Sequence, residues 1–201
     1  MEEISELIER LRAAGVPLDD SIEEAMNSVD PSCFTDHSLE PFLGDRPVPF
    51  LVTEGGAAKT ISAPHMVATL LHHLEIREAQ HVLLLGSKGG YLAALLDCML
   101  GPDGVVTIIE PHDEVLLHTS ERLEMFDSMG LLTVLPPEAL EGWNGLSRRV
   151  DRVLVTGSVR ILPPEIEALV EDGGFVLGPF GGPVHQRLLK REKQGDEWID
   201  T

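Results

Sequence analysis

The sequence of 201 residues has the length of a single domain, and its 43% hydrophobic content and mean hydropathy of +0.05 are typical of a soluble globular protein. A formal net charge of −19 and a pI near 4.6 argue against nucleic acid as a partner, because affinity for phosphates comes from lysine and arginine. No apolar run is long enough to span a bilayer, so no membrane partner is expected.

The N-terminal sequence and the cysteines indicate the cellular compartment of the protein. The first residues, MEEISELIERL, are acidic and amphipathic, unlike a secretory signal peptide. Cys33 and Cys98 form no CxxC or metal-like spacing, and the histidines show no ligand spacing either. We therefore expect a cytoplasmic protein without a metal site. The sequence leaves its oligomeric state open.

Two helices are predicted first, followed by a long irregular segment. Residues 3–14 place apolar and charged groups at helical spacing, and Asp19 or Asp20 can cap a second helix whose inner face carries Ile22, Ala25 and Met26. Residues 30–58 are rich in Pro, Gly and Asp, which indicates an ordered loop region. Its anchors would be the aromatic side chains of Phe34, Phe42 and Phe50.

The stretch Thr60–Val67 leads into the next predicted helix. Met66, Leu70, Leu71 and Leu74 are spaced as one helical face, and Pro64 suits the first turn. Ser62 then has two interpretations. It either caps the helix, or it lies where free backbone N–H groups can receive an anion.

From residue 81 strands alternate with helices, which predicts a doubly wound, mostly parallel α/β sheet. The run HVLLLG is typical of a strand buried on both faces. We place residues 1–60 in an N-terminal helical and loop extension and residues 61–201 in the α/β core. The predicted strands are HVLLLG, VVTIIE, LLTVL, DRVLVTG and GFVLGPF, and the predicted helices between them are YLAALLDCML, DEVLLHTSERLEMF and PPEIEALVE.

A glycine-rich turn follows the first of these strands. Gly86, Gly89 and Gly90 flank Ser87 and Lys88, and Glu110 ends the next strand. Glycines at such a turn permit close backbone approach to a ligand, and an acidic residue at this distance can accept ribose hydroxyls. This pattern is compatible with nucleoside binding. It is also compatible with a tight turn and a solvated glutamate.

Several blocks together resemble the protein-L-isoaspartate (D-aspartate) O-methyltransferase family. They are DRPVP at residues 45–49, TISAPHMVA, VLLLGSKGGY and the late block GGFVLGPFGG, in the order and at about the spacing of that family. The resemblance implies a Rossmann-like methyltransferase fold and S-adenosyl-L-methionine as cofactor. It also implies isoaspartyl and D-aspartyl residues of damaged proteins as substrates.

The resemblance also implies roles for individual residues. Ser62 would be the catalytic residue, which hydrogen-bonds the substrate carboxylate. The implied cofactor-binding residues are Gly86, Ser87, Gly89, Gly90 and Glu110, with Glu138 in place of the family's acidic contact to adenine. The implied substrate-binding residues are Thr60, Ile61, Ser62, Val155, Thr156 and Gln186.

Three positions on the cofactor side depart from the family pattern. Leu84 stands where the family usually has an acidic residue, Lys88 where it has a second glycine, and Pro136-Pro137-Glu138 where it has Gly-Asp-Gly. Lys88 would either point to solvent or fill part of the site. These departures leave two alternatives, a non-catalytic homologue that acts as a binding or regulatory module, and a methyltransferase with another acceptor. The retained TISAPHM block argues against the second alternative.

Overall fold

The computed structural model describes residues 2–140, 149–182 and 184–201. The helices are α1 (Glu2–Ala13), α2 (Asp20–Ser28), α3 (Glu40–Leu43), α4 (Pro64–Leu74), α5 (Tyr91–Leu100), α6 (Asp113–Glu124) and α7 (Pro164–Leu169), with a 3-10 turn at Pro31–Phe34. The strands are β1 (Val48–Val52), β2 (Ala58–Ile61), β3 (His81–Leu85), β4 (Val105–Ile109), β5 (Leu131–Leu135), β6 (Val150–Val155), β7 (Val170–Gly181), β8 (Gln186–Gln194) and β9 (Glu197–Asp200).

The two N-terminal helices form as predicted. Asp19 caps α2, and its carboxylate accepts a hydrogen bond from Ile22 N at 3.0 Å. Ile22, Ala25 and Met26 are buried on the inner face of α2. These residues belong to the same hydrophobic cluster as the sheet residues Val82 and Leu84, so the N-terminal region shares its core with the α/β part.

Residues 31–61 contain more regular structure than the irregular loop we expected. They form a 3-10 turn, α3 and the antiparallel pair β1–β2, all of five residues or fewer. Such short elements leave too few residues for a periodic pattern. The predicted aromatic anchors are confirmed, since Phe34 and Phe42 are fully buried and Phe50 is 4% exposed. The proposed division after residue 60 falls within β2.

The helix α4 differs from the sequence expectation at its start. Its N-cap is Ala63, without a side-chain capping bond, so the interpretation of Ser62 as the cap is wrong. Met66 is 42% exposed, and the buried face consists of Val67, Ala68, Leu70, Leu71 and Leu74. The face of α4 is therefore rotated away from Met66, toward Val67 and Ala68.

The main sheet has seven strands in the order β5-β4-β3-β6-β7-β8-β9. The first five are parallel, and β8 and β9 are antiparallel to their neighbours. The chain runs outward from β3 to β4 and β5, then continues on the other side of β3 with β6. In such sheets the crevice at the carboxyl ends of the strands, where the order reverses, is the usual place for a ligand.

The strands predicted from apolar runs are confirmed, and two more follow. Val82, Leu83 and Leu84 in β3 are fully buried, as expected for a strand covered on both faces. The runs that form β8 and β9, QRLLKREKQ and EWID, are too rich in charge to indicate buried strands. No helix within the described ranges combines the length and the apolar character needed to cross a bilayer.

Candidate functional site

A cleft of about 470 Å³ opens at the carboxyl ends of β3, β4 and β6. This volume lies within the range typical of small-molecule sites. Most of its walls are apolar, and its charged side chains are Lys59, Lys88 and Glu110. The lining residues are Phe50, Lys59, Thr60, Leu85, Gly86, Lys88, Ile109, Glu110, Pro111, His112, Val115, Pro137, Leu140, Val155, Thr156, Gly157, Ser158, Val159, Pro163 and Ile166.

The glycine turn is held against the end of β6. Thr156 Oγ1 lies 2.9 Å from Gly86 O and 3.0 Å from Leu85 O, so its hydroxyl proton is shared between two carbonyls at the end of β3. Gly86 has a φ of +91°, and a Cβ there would lie 2.4 Å from Thr156 Oγ1. Only glycine fits this position, because both the backbone conformation and the neighbouring hydroxyl exclude a side chain.

A contact of Gly89 joins the glycine turn to the hairpin formed by β1 and β2. Gly89 has a φ of +79°, and a Cβ there would lie 2.8 Å from the ring of Phe50. Phe50 belongs to β1, lines the cleft and packs on His118 of α6, with ring centroids 5.0 Å apart. The hairpin therefore forms part of the site.

Glu110 is buried and held in place by hydrogen bonds. Its Oε2 accepts from Ser87 N and Ser87 Oγ, both at 2.9 Å, and its Oε1 accepts from His112 N at 3.1 Å. Thr119 Oγ1 of α6 donates to Ser87 Oγ at 2.8 Å. The Glu110 side chain is thus 4% exposed and ordered at the cleft, so the interpretation of Glu110 as a solvated glutamate is wrong.

Lys88 lies on the cleft wall and does not point away to solvent. Its φ is +50°, the left-handed conformation that glycine adopts most readily. Burial lowers the pKa of Lys88, and the neighbouring charge of Lys59 lowers it further. Leu84, the other departure within this block, is fully buried in the core.

Ser62 lines a second, smaller cavity of about 20 Å³. This cavity shares Lys88 and Thr156 with the main cleft, and Ile61 lines it as well. Thr60 lies on the main cleft. The strand end Thr60–Ser62 therefore passes along the border between the two spaces.

The carboxylate of Asp45 takes the place of the capping side chain that α4 lacks. Asp45 Oδ1 accepts a hydrogen bond from His65 N at 2.9 Å, and Oδ2 lies 2.9 Å from His65 Nδ1. The ion-pair partner of Asp45 in the described structure is His65, which stands in the first turn of the helix next to Ser62.

Some of the predicted site residues do not line the cleft. Glu138 is exposed, and at that place the wall consists of Pro137 and Leu140. Gln186 is exposed at the start of β8 and does not line the cleft. Ser87, Gly89 and Gly90 do not line the cleft either: Ser87 binds Glu110, Gly89 packs against Phe50, and Gly90 is the N-cap of α5 with a φ of +100°.

Other residues of the site were missed in the sequence. Phe50, Lys59, Val115 and Ile166 line the cleft, and Thr119 supports Ser87. Only Lys59 carried a usable signal, because it directly precedes Thr60. Pro183, in the late glycine block, lies outside the described residues. Within the described ranges, no group of three or more His, Cys, Asp and Glu is placed to hold a metal ion.

Comparison with known proteins gives consistent matches along the chain. The sequence profile described as protein-L-isoaspartate(D-aspartate) O-methyltransferase matches residues 2–201. A protein-L-isoaspartate O-methyltransferase of Ignicoccus hospitalis is 32% identical over 200 residues, covering 98% of this chain and 92% of the relative. One of Fervidobacterium nodosum is 30% identical over 195 residues, covering 96% and 94%.

Solved structures share the fold. A protein-L-isoaspartate O-methyltransferase superposes with a TM-score of 0.82 at 20% identity, over 98% of this chain and 62% of that one. A putative protein-L-isoaspartate O-methyltransferase of Plasmodium falciparum, in complex with S-adenosyl-L-homocysteine, superposes with a TM-score of 0.77 at 21% identity, over 98% and 92%. The predicted doubly wound α/β fold is thus confirmed.

Proposed function

Because this chain belongs to the protein-L-isoaspartate(D-aspartate) O-methyltransferase family, we propose that the cleft at the end of β3 is where it methylates damaged proteins. The enzyme transfers a methyl group from S-adenosyl-L-methionine to the carboxylate of L-isoaspartyl and D-aspartyl residues. The observation that carries the proposal for the site is the position of Glu110, a buried and oriented carboxylate on the wall of a largely apolar cleft.

The residues of the cleft fit the cofactor. A carboxylate has about four lone-pair sites, and Glu110 uses three for the hydrogen bonds from Ser87 and His112, so one remains on Oε1 for a ribose hydroxyl. Gly86, which lines the cleft, would bring the backbone close to the methionyl half. Pro137 and Leu140 would flank the adenine, in place of the exposed Glu138. When bound, S-adenosyl-L-methionine supplies a methyl group activated by its sulfonium.

The acceptor side needs no general base. The carboxylate of an isoaspartyl residue is ionised at neutral pH, so the protein has to align it rather than deprotonate it. We place this carboxylate at Ser62, which does not cap α4 and lines the small cavity that shares Lys88 and Thr156 with the cleft. Thr60 and Ile61 would guide the extended peptide past the cleft, with Val155 and Thr156 opposite. An apolar wall keeps water away from the aligned groups.

Three further parts of the proposal concern the whole chain. Residues 1–60 would form the substrate side of the enzyme and residues 61–201 its cofactor-binding core, because β1 and β2 bring Phe50, Lys59 and Thr60 to the cleft. Gln186 stays a candidate for binding the outer part of a large substrate, since it is exposed. The free cysteines Cys33 and Cys98 support a cytoplasmic enzyme, and a net charge of −19 argues against nucleic acid as a partner.

Two measurements test the function. Calorimetric titration with S-adenosyl-L-homocysteine, at low and at high salt, should show binding, and an isoaspartyl peptide should be methylated while its aspartyl isomer is not. Ser62→Ala should leave the affinity for S-adenosyl-L-homocysteine within about twofold and lower kcat/KM for the peptide by roughly tenfold or more. No binding at either salt would overturn the proposed site, and equal rates would remove Ser62 from it.

A further inference from the structure

The lysines of this protein are distributed unevenly. The sequence has four, at 59, 88, 190 and 193, in a chain of net charge −19. Two of them, Lys59 of β2 and Lys88 of the glycine turn, line the same cleft. Half of the lysine side chains of this strongly acidic protein thus lie in its candidate active site.

The two cleft lysines also differ from the others in their partners. Lys190 forms an ion pair with Glu75 at 2.6 Å, and Lys193 donates to Val170 O at 2.9 Å. Among the described residues, the side-chain ammonium groups of Lys59 and Lys88 form neither a hydrogen bond nor an ion pair.

Among the described residues of the cleft wall, the one acidic group, Glu110, does not neutralise the two lysines. Glu110 already accepts hydrogen bonds from Ser87 and His112. Its charge raises the pKa of Lys88, but burial and the charge of Lys59 have the larger, opposite effects. Partly buried, like-charged ammonium groups that lack partners are costly, and an anion between them would relieve that cost.

We propose that Lys59 and Lys88 together form a carboxylate-binding site at the end of the cleft nearest Ser62. Lys88 lines both the cleft and the small cavity of Ser62, which places its side chain at their junction. An ammonium gives carboxylates strong, charge-assisted hydrogen bonds. The inference rests on the proposed function, because two carboxylates would meet at this junction: that of the cofactor's amino-acid end and that of the isoaspartyl substrate.

The first experiment asks whether the cofactor supplies the carboxylate. S-adenosyl-L-homocysteine and 5′-methylthioadenosine share the nucleoside and the thioether, but only the former has the amino-acid end. In calorimetry, Lys88→Gln and Lys59→Gln should each lower the affinity for S-adenosyl-L-homocysteine by roughly tenfold. The affinity for 5′-methylthioadenosine should fall by less than about twofold.

The second experiment asks whether the substrate supplies it. In that case both variants leave the affinity for S-adenosyl-L-homocysteine unchanged. They lower the affinity for an isoaspartyl peptide by roughly tenfold, when the peptide is titrated into protein saturated with S-adenosyl-L-homocysteine. The KM for the peptide should rise to a similar extent. Amidation of the isoaspartyl carboxylate should then abolish the difference between the variants and the parent protein.

Arg77→Gln is the matched control. Arg77 is exposed and precedes the amino end of β3, opposite the carboxyl ends where the cleft lies, so its replacement removes one positive charge without touching the cleft. It should change neither affinity, and circular dichroism melts should show that all variants fold. Lys88→Arg should retain more of the binding than Lys88→Gln.

The outcomes separate this inference from the function on which it rests. The inference is supported if the lysine variants lose affinity for S-adenosyl-L-homocysteine or for the isoaspartyl peptide, as described above. If the parent protein binds S-adenosyl-L-homocysteine and the peptide but the lysine variants bind both equally well, the inference fails and the function stands. Tighter cofactor binding by Lys88→Gly would mean that the side chain occupies cofactor space, which also overturns the inference. A parent protein that binds neither ligand overturns both.

Discussion

Ser87 donates two hydrogen bonds to one carboxylate oxygen of Glu110, from its backbone N–H and from its hydroxyl, each at 2.9 Å. Residues 23 positions apart are thereby joined across the carboxyl ends of β3 and β4. The serine itself does not line the cleft, but it determines how the glutamate faces it.

Removal of this hydroxyl should therefore affect folding and binding together. Ser87→Ala deletes one bond to a charged group and leaves the buried hydroxyl of Thr119 without its acceptor. We expect a loss of about 1–3 kcal/mol of unfolding free energy and a several-fold weaker S-adenosyl-L-homocysteine affinity. Urea denaturation and calorimetry measure the two effects. Thr119→Val, which leaves both bonds to Glu110, should weaken binding less; an equal loss would contradict the role given to Ser87.

The turn glycine Gly89 offers a test with a close control. Gly89 and Gly56 share a φ of +79°, but a Cβ on Gly89 would meet the ring of Phe50 at 2.8 Å, whereas nothing lies within 4 Å of one on Gly56. Gly56→Ala should cost about 1 kcal/mol for its backbone conformation alone. Gly89→Ala should cost about 1–3 kcal/mol more, because Phe50 has to move. Equal urea midpoints for Gly89→Ala and Gly56→Ala would show that Phe50 and its hairpin move without a measurable loss of stability.

The Asp45 carboxylate tests how α4 is fixed beside Ser62. Asp45→Ala removes the acceptor for His65 N and should cost about 0.5–2 kcal/mol. Asp45→Asn keeps an acceptor and tolerates the φ of +56° at this position, so it should cost less. Thermal unfolding compares the two variants. If both variants lose the same stability, the ion pair of Asp45 with His65 rather than the cap stabilises the start of α4.

His118 should make the stability of the protein depend on pH. Burial lowers the pKa of His118, with a further lowering by Arg122, against the opposing effects of the Phe34 carbonyl, Asp36 and Glu121. Its folded pKa is thus below the unfolded value of about 6.5. The unfolded state then binds the proton more readily, so this contribution to stability is complete above about pH 6.5 and is lost as the pH falls through the folded pKa.

The corresponding measurement is urea denaturation between about pH 7.5 and pH 5. His118→Gln should lose less stability on acidification than the parent protein, because it lacks the titrating ring. His73→Gln, at an exposed histidine of α4, serves as the control and should follow the parent. A His118→Gln curve parallel to that of the parent would contradict the assignment.

The long apolar runs made the α/β part predictable from the sequence. HVLLLG and YLAALLDCML form β3 and α5 almost to the residue, because a strand buried on both faces and a mostly buried helix leave a continuous apolar signal. The glycine turn and Glu110 were found for a similar reason, since a ligand-binding turn requires glycine at fixed places after a strand.

Other parts depend on tertiary contacts that leave no local pattern. The cap of α4 comes from Asp45, twenty positions away, and no sequence window around Ser62 contains it. Phe50 reaches the cleft only because β1 and β2 fold over the turn, and Thr119 supports Glu110 only through Ser87. The exposure of Glu138 follows from the course of the chain after β5, which the neighbouring prolines did not reveal.

The hydrogen bond between Thr156 and Gly86 also bears on the order of folding. It joins residues 70 positions apart, so the cleft is complete only after β6 has docked beside β3. Closing such a long loop makes assembly of the site a late event, and the unfolded chain offers a ligand almost nothing to bind. By mass action a cleft ligand at a hundred times its Kd then adds about 2.7 kcal/mol to the stability. In the cell, the supply of cofactor would thereby raise the fraction of the enzyme that is folded.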